Sequence, residues 1–298
     1  MDHKKFTGTG VAIATPFSND GSIDFTSLGK LLEHIVIGGV NYVVALGTTG
    51  ESVTLSKDEK KDVVNFVTHT VGGRIPVIVG IGGNNTQEIL ETINHQDFSG
   101  IDAILSVSPY YNKPSQQGLY LHFKAIAAIS PVPVILYNVP GRTGSNMSAE
   151  TTIKLANEFH SIVAIKEASG NLAQIMQILN HKPKDFQVIS GDDALALPII
   201  AIGGAGVISV LANAYPKELS EMVNHALKSD LSKANILHYE LLDMINALFE
   251  EGSPSGIKAL LEILKIAYNN VRLPLVQVSD KHYGILEQLS KKIKGERP

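Results

Sequence analysis

The sequence predicts a (β/α)8 TIM barrel followed by a C-terminal helical extension. Eight short, nearly continuous apolar runs recur along the chain, a pattern typical of parallel strands that are buried on both faces. Helix signals separate these runs, and this repeated alternation favours a closed barrel over an open doubly wound sheet. With 298 residues, 44% of them hydrophobic, the chain can form such a barrel as one domain. The predicted strands are residues 10–16, 42–47, 76–81, 103–108, 133–138, 161–165, 186–190 and 206–210.

Capping residues mark the starts of the predicted helices. Asp24 precedes apolar residues at helical spacing, and Ser56 with Glu59 forms a capping-box pattern ahead of the next apolar stripe. Short polar side chains elsewhere in the chain can likewise accept hydrogen bonds from the free N–H groups of a first helical turn. We therefore also predict N-caps at Ser148, Asn171 and Asp193.

The pattern changes after the eighth run. From about Lys217 onwards the sequence predicts helix after helix, interrupted by loops at 252–256 and 272–274. Only one of these helices is needed to complete a barrel. We therefore assign residues 1–225 to the barrel and 226–298 to a C-terminal extension. No Ser/Gly-rich linker separates the two, so we expect a single folding unit.

Composition excludes several classes of function. The net charge is −4 without a basic cluster, which argues against nucleic acid as a partner. The chain has no cysteine, so disulfides and thiolate chemistry are excluded, and a reducing cytoplasm is the expected location. The N-terminus lacks the apolar core of a signal peptide, and no apolar stretch is long enough to span a membrane. The histidines are scattered, so we predict no metal site.

Lys166 lies at the end of the sixth run, directly after apolar and β-branched residues. Lysine is seldom buried without a partner. A low-dielectric environment favours the neutral amine, which is the form that attacks a ketone to give a Schiff base. Lys166 is therefore a candidate nucleophile, the alternative being a structural lysine whose ammonium group reaches solvent. Lys124 and Lys258 occur at helical spacing, and we interpret both as ordinary amphipathic-helix lysines.

Polar residues collect after the predicted strands, where TIM barrels carry their active sites. The segment 47–51 (Gly-Thr-Thr-Gly-Glu) is either a backbone nest for a carboxylate or phosphate or a plain turn. Tyr111 and Tyr137 are either core tyrosines or, beside a Schiff-base lysine, proton carriers. Arg142 either clamps a carboxylate or lies on the surface as an ordinary arginine.

Together, these motifs resemble the dihydrodipicolinate synthase / N-acetylneuraminate lyase family of class I aldolases. No single motif is decisive, but they occur in the family's order and cover nearly the whole chain. The matching segments are residues 14–16, 47–52, 108–114, 137–143, 165–170, 190–193, 206–209 and 272–274.

The resemblance implies a reaction that needs no cofactor, because Lys166 itself forms an imine with pyruvate. The derived enamine adds to aspartate-β-semialdehyde, which leads to 4-hydroxy-tetrahydrodipicolinate in lysine and diaminopimelate biosynthesis. By the same resemblance, Thr48 and Thr49 bind the pyruvate carboxylate and Tyr137 relays protons. Thr48 links Tyr137 to Tyr111, which in the family reaches across a tight dimer interface. A homotetramer, a dimer of such dimers, is therefore expected.

The resemblance also assigns Arg142 to the carboxylate of the semialdehyde and places Ile208 and Gly191 beside the substrates. An arginine suits a short amino-acid aldehyde better than a polyol. The alternative within the same fold is a pyruvate-dependent sugar-acid aldolase that cleaves N-acetylneuraminate or a 2-keto-3-deoxy acid. A barrel that binds a keto acid without covalent chemistry is a separate, non-enzymic alternative.

A possible effector site is also implied, because inhibited family members bind lysine near the dimer interface. Two positions that are often histidine in such members are here Lys57 and Lys60. Additional ammonium groups repel a cationic effector, so we predict weak or absent inhibition by lysine. The implied contact residues are Ser52, Val53, Asn84, Glu88 and Tyr110.

Overall fold

Eight strands form a closed barrel in the order in which they occur in the chain. The structure is a computed structural model that describes residues 3–293 and 295. All neighbouring strands run parallel. The predicted TIM barrel is therefore confirmed, and each predicted run overlaps one strand. The strands are β1 (Gly8–Ala12), β2 (Tyr42–Ala45), β3 (Val77–Gly80), β4 (Ala103–Val107), β5 (Val134–Asn138), β6 (Ile162–Glu167), β7 (Gln187–Ser190) and β8 (Gly206–Ser209).

Helices connect the strands and continue after the last one. Short 3-10 segments occur at His3–Phe6, Ser52–Thr54 and Leu211–Asn213. The α-helices are α1 (Phe25–Ile37), α2 (Lys57–Val71), α3 (Thr86–His95), α4 (Gln116–Ile129), α5 (Pro140–Thr143), α6 (Ala149–Glu158), α7 (Leu172–His181), α8 (Ala196–Ala201), α9 (Pro216–Leu227), α10 (Leu231–Glu250), α11 (Ser255–Ile263) and α12 (Asp280–Ile293).

Four of the five predicted N-caps are confirmed. Asp24, Ser148 and Asn171 each accept a hydrogen bond from a backbone N–H in the first turn of α1, α6 or α7. Ser56 and Glu59 form the complete capping box of α2. Each of these side chains satisfies a donor that an isolated helix leaves free.

The fifth N-cap, at Asp193, was predicted wrongly. The next helix, α8, begins only at Ala196, and the Asp193 carboxylate instead accepts hydrogen bonds from the backbone N–H groups of Val210 and Leu211, at 3.0 and 2.9 Å. Val210 and Leu211 come directly after β8, so these two amides do not belong to the helix that follows Asp193. A contact that crosses between strand ends leaves no signal in the residues around Asp193.

The apolar side chains form two layers. One cluster lies between the outer faces of the strands and the helices, and the other fills the barrel interior. In β5 the side chains alternate regularly, with Val134 and Leu136 in the outer cluster and Ile135 and Tyr137 in the inner one. Strand side chains therefore point alternately to the barrel interior and to the helices.

β6 departs from this alternation at one place. Its pairing with β5 shifts register between Val134 and Ile135, where Val134 lies opposite Ile162 but Ile135 lies opposite Ala164. The extra residue, Val163, belongs to the inner cluster together with Ala164. A β-bulge of this kind reverses the facing of all later side chains in the strand. Every residue of β6 after the bulge therefore faces opposite to what simple alternation from Ile162 predicts.

The C-terminal helices form a layer that begins on the barrel and continues beside it. α9 packs against β1 and β8, α10 packs along α9, and α12 packs against α10 and α11. The division at residue 225 stays a prediction. No helix in the described part of the chain has both the length and the apolar character required to cross a membrane.

Candidate active site

Lys166 occupies the penultimate position of β6 and faces the barrel interior because of the bulge. It lies directly opposite Tyr137 of β5 in the register of the sheet. Only 5% of Lys166 is exposed, and its Nζ lies 4.3 Å from the centroid of the Tyr137 ring. The two residues therefore meet at the C-terminal end of the barrel, as the sequence predicted.

In the described part of the chain, no acidic side chain pairs with the amine of Lys166. Among residues 3–293 and 295, no carboxylate lies within 4.0 Å of its Nζ. The adjacent Glu167 points to the opposite face of the strand, where its carboxylate accepts hydrogen bonds from Asn138, Ser169 and Gln174. Within the described chain the Lys166 amine is therefore not held in an ion pair, and it stays a candidate nucleophile.

Gly191, which follows β7, provides the space that the Lys166 side chain occupies. A Cβ atom built at this position would lie 3.0 Å from Cε of Lys166 and 2.7 Å from Cβ of Ala168. A larger residue would collide with Ala168 and crowd the Lys166 side chain. The role of Gly191 in binding the substrates stays a prediction.

The 47–51 segment is a turn in which two adjacent backbone amides have no acceptor among the described residues. Its Gly50 and Glu51 amides donate within the loop, to the carbonyls of Gly47 and Thr48 at 3.2 and 3.1 Å. The amides of Thr48 and Thr49, in contrast, donate no hydrogen bond to any described residue. Two adjacent free N–H groups can bind one carboxylate.

The other predicted site residues, Ile208, Arg142 and Tyr111, differ in burial. Ile208 is a buried inner residue of β8. Arg142 is exposed on α5, and its Nη2 lies 3.4 Å from the carbonyl oxygen of Ser253. Tyr111 is 88% exposed, with a left-handed backbone φ of 69°. Within the described chain, its hydroxyl forms no hydrogen bond with Thr48 or Tyr137.

Sequence reasoning was wrong about Lys258, which is not a solvated helix lysine. It lies on α11 with only 1% of its surface exposed, and its Nζ contacts Oε1 of Glu51, itself 2% exposed. The same Nζ donates to the carbonyl of Asn270 at 2.7 Å and lies 3.9 Å from the centroid of the Phe17 ring. Burial lowers the pKa of Lys258 to about 8, although the attraction of Glu51 opposes this shift.

Arg272 extends the cluster around Lys258 towards the surface. Its backbone N–H donates to Oε2 of Glu51 at 3.0 Å, and its guanidinium forms an ion pair with Glu59. The guanidinium also donates to the carbonyls of Gly21 and Thr54. The Arg272 guanidinium lowers the pKa of Glu59 to about 2. Glu51 and Arg272 both lie in segments that carry the family resemblance, 47–52 and 272–274, but the sequence did not indicate Lys258 as their partner.

The residues implied as an effector site lie near the surface around the start of α2 and α3. Ser52 and Val53 belong to the 3-10 segment after the nest, and Glu88 lies in the first turn of α3. The Asn84 carbonyl accepts a 3.4 Å hydrogen bond from Asn112, and Tyr110 is 36% exposed.

In the described residues no group of three or more acidic, histidine or cysteine side chains could hold a metal ion.

Comparisons with known proteins agree over nearly the whole chain. The model of the dihydrodipicolinate synthetase family matches residues 5–293. A 4-hydroxy-tetrahydrodipicolinate synthase of Flavobacterium psychrophilum is 50% identical over 288 residues, which are 97% of this chain and 98% of the relative. A dihydrodipicolinate synthase structure from Aquifex aeolicus superimposes with a TM-score of 0.94 at 41% identity, covering 97% of this chain and 98% of that one. A structure described as a monomeric dihydrodipicolinate synthase variant superimposes with a TM-score of 0.95 at 38% identity, covering 98% of each chain.

Proposed function

Because the chain belongs to the dihydrodipicolinate synthetase family, we propose that it condenses pyruvate with aspartate-β-semialdehyde to give 4-hydroxy-tetrahydrodipicolinate. The observation that carries this proposal is the buried amine of Lys166, which lies against Tyr137 and has no carboxylate partner among the described residues. The activity named for the Flavobacterium psychrophilum relative favours this synthase reaction over a sugar-acid aldolase.

The proposed chemistry begins with attack of the Lys166 amine on the ketone carbon of pyruvate. Loss of water gives an imine, and loss of a proton from the methyl group gives an enamine. The enamine carbon forms a bond to the aldehyde carbon of the semialdehyde. The amino group of that substrate then attacks the imine carbon, which closes the ring and releases Lys166. The imine itself supplies the electron sink, so the reaction needs no separate cofactor.

Pyruvate is oriented in this proposal by its carboxylate. The free amides of Thr48 and Thr49 lie in one loop and supply two donors. Binding the carboxylate there would direct the ketone towards Lys166. The Arg142 guanidinium, exposed at the rim on α5, would bind the carboxylate of the semialdehyde, with Ile208 and Gly191 forming the adjacent wall.

Proton transfer at the imine carbon is assigned to Tyr137, with Thr48 and Tyr111 completing a relay. The closeness of Tyr137 to Lys166 supports the first assignment. Tyr111 is 88% exposed, so its side chain is available to a second copy of the chain. We therefore propose a dimer that completes two sites at once, and a tetramer built from two such dimers.

A trapping experiment tests the proposed function. The protein is incubated with pyruvate and borohydride, which reduces an imine to a stable amine, and the modified residue is mapped by mass spectrometry. We expect one pyruvate-derived adduct at Lys166. Absence of an adduct would reject the covalent mechanism and leave a barrel that only binds its ligand. Turnover of aspartate-β-semialdehyde compared with N-acetylneuraminate and 2-keto-3-deoxy acids then separates the synthase from the sugar-acid aldolase.

A further inference from the structure

The last residue of the 47–51 loop makes a buried ionic contact with the C-terminal extension. Glu51 ends the loop, and its carboxylate lies between Nζ of Lys258 on α11 and the backbone N–H of Arg272. Lys258 is itself fixed by the Asn270 carbonyl and by the Phe17 ring. Neither partner of the Glu51–Lys258 pair is used in the chemistry proposed above.

The loop has a backbone conformation that it would not keep unaided. Leu46 and Glu51, at either end of the loop, both have left-handed backbone angles, with φ of 56° and 50°. Residues with a Cβ atom disfavour this region, so surrounding contacts must hold them there. On one side, the Thr15 hydroxyl donates to the Gly50 carbonyl at 2.8 Å. On the other, the restraint is the carboxylate of Glu51.

We propose that Glu51 and Lys258 are positioning residues for the pyruvate carboxylate, because their buried ion pair holds the loop with the Thr48 and Thr49 amides free. This inference rests on the proposed function, in which those amides bind pyruvate. The charge on Glu51 is compensated by Lys258, which reduces its repulsion of an incoming carboxylate.

The C-terminal extension therefore contributes to both proposed carboxylate sites. The segment before α11 contacts Arg142 through the Ser253 carbonyl at 3.4 Å. α11 and the residues after it hold the nest through Lys258 and Arg272. One segment, residues 253–272, thus contacts Arg142 directly and contacts the 47–51 loop through Glu51. A bare (β/α)8 barrel would lack these supports.

Pyruvate half-saturation measured by borohydride trapping at Lys166 tests this role without requiring the aldehyde substrate. The variants are Lys258→Met and the double variant Glu51→Gln/Lys258→Met, which leaves no unpaired buried charge. The matched control is Lys292→Met, which removes an exposed lysine of the same extension whose Nζ lies 3.2 Å from Asp243. Circular dichroism and thermal unfolding identify which variants are folded.

We expect the half-saturating pyruvate concentration to rise about tenfold in both test variants, with the trapping rate at saturating pyruvate nearly unchanged. The Lys292→Met control should stay within about twofold of the wild type. A folded test variant with the wild-type half-saturation would overturn the positioning role and leave the pair as a purely structural contact. If Lys258→Met does not fold, the double variant decides the question. A wild-type protein that forms no adduct would refute the proposed function instead, so the two failures are distinguishable.

Discussion

Two buried lysines, Lys166 at the end of β6 and Lys258 on α11, show what makes such a residue reactive. Both are almost inaccessible to water and both lie near the face of an aromatic ring, at 4.3 Å from Tyr137 and 3.9 Å from Phe17. Their polar partners differ. The Lys258 ammonium contacts a carboxylate and donates to a carbonyl, whereas Lys166 has no carboxylate within ion-pair distance in the described chain.

Burial alone therefore does not mark a catalytic lysine. The Lys258 ammonium is compensated by a buried carboxylate, and the contacts that it makes are those of a structural ion pair. Lys166 has no such carboxylate in the described chain, so no ion pair holds its amine, and it lies beside Tyr137 at the strand ends. We therefore expect substitution of Lys166 to lower mainly the activity and substitution of Lys258 to lower mainly the stability.

The largest expected effect is on the activity of Lys166→Ala. Removing the nucleophile should lower the condensation rate at least roughly a thousandfold. The free energy of unfolding should change by no more than about 1 kcal/mol, since no ion pair is broken. Steady-state kinetics and urea unfolding measure the two quantities. A variant that retains most of its activity would remove the distinction between the two lysines.

The converse effect is expected for Lys258→Met, which leaves the Glu51 carboxylate buried without its counter-charge. The free energy of unfolding should fall by about 3–5 kcal/mol. The double variant Glu51→Gln/Lys258→Met should recover most of this loss, since both charges are then absent. Urea unfolding of the wild type, Lys258→Met, Glu51→Gln and the double variant forms a double-mutant cycle. Equal stability of the single and double variants would contradict an ionic role for Lys258.

Gly191→Ala tests whether the Lys166 amine must lie where it does. The new methyl group would meet the lysine side chain and Ala168 at 3.0 and 2.7 Å, so we expect kcat to fall about ten- to a hundredfold. The control is Gly284→Ala on α12, where an added Cβ meets no atom within 4 Å. A kcat of Gly191→Ala equal to that of the control would show that the lysine tolerates displacement.

The outer part of the Lys258 cluster should show its contribution through pH. Arg272 lowers the pKa of Glu59 from 4.5 to about 2. A carboxyl with a lowered pKa stabilises the folded state above pH 4.5, and this stabilisation is lost as pH falls towards 2. Above pH 4.5 we expect the free energy of unfolding of the wild type to exceed that of Glu59→Gln by about 1–2 kcal/mol. The difference is no larger because partial exposure weakens the Arg272–Glu59 ion pair. Urea unfolding of both proteins from pH 7 to 3 would contradict this if the difference stayed constant.

The smallest effect concerns the lysines near the surface of α2. Lys57 and Lys60 lie in its first two turns, beside the residues implied as an effector site. Their charges should repel free lysine, so inhibition should be weak or absent. An inhibition curve checks this. Half-inhibition below about 1 mM, an affinity of roughly 4 kcal/mol, would contradict it. If lysine does inhibit below about 1 mM, Lys57→His and Lys60→His should change the half-inhibiting lysine concentration little.

Local features of the chain were predicted well from sequence. All eight strands, the capping box at Ser56 and three other N-caps depend on residues that are neighbours in the chain. The order of the strands followed from the alternation with helices. Lys166 and Tyr137 were predicted at adjacent strand ends, because consecutive strands of such a barrel pair with each other.

The sequence alone thus determined the barrel, its helix starts and the lysine to examine. Only the tertiary structure decided three further points. The bulge at Val163 turns Lys166 to the interior, Asp193 binds amides after β8, and Lys258 pairs with Glu51. The reason is physical. Periodicity and capping depend on near neighbours, whereas the facing of a strand and the partner of a buried charge are set by residues far away in the chain.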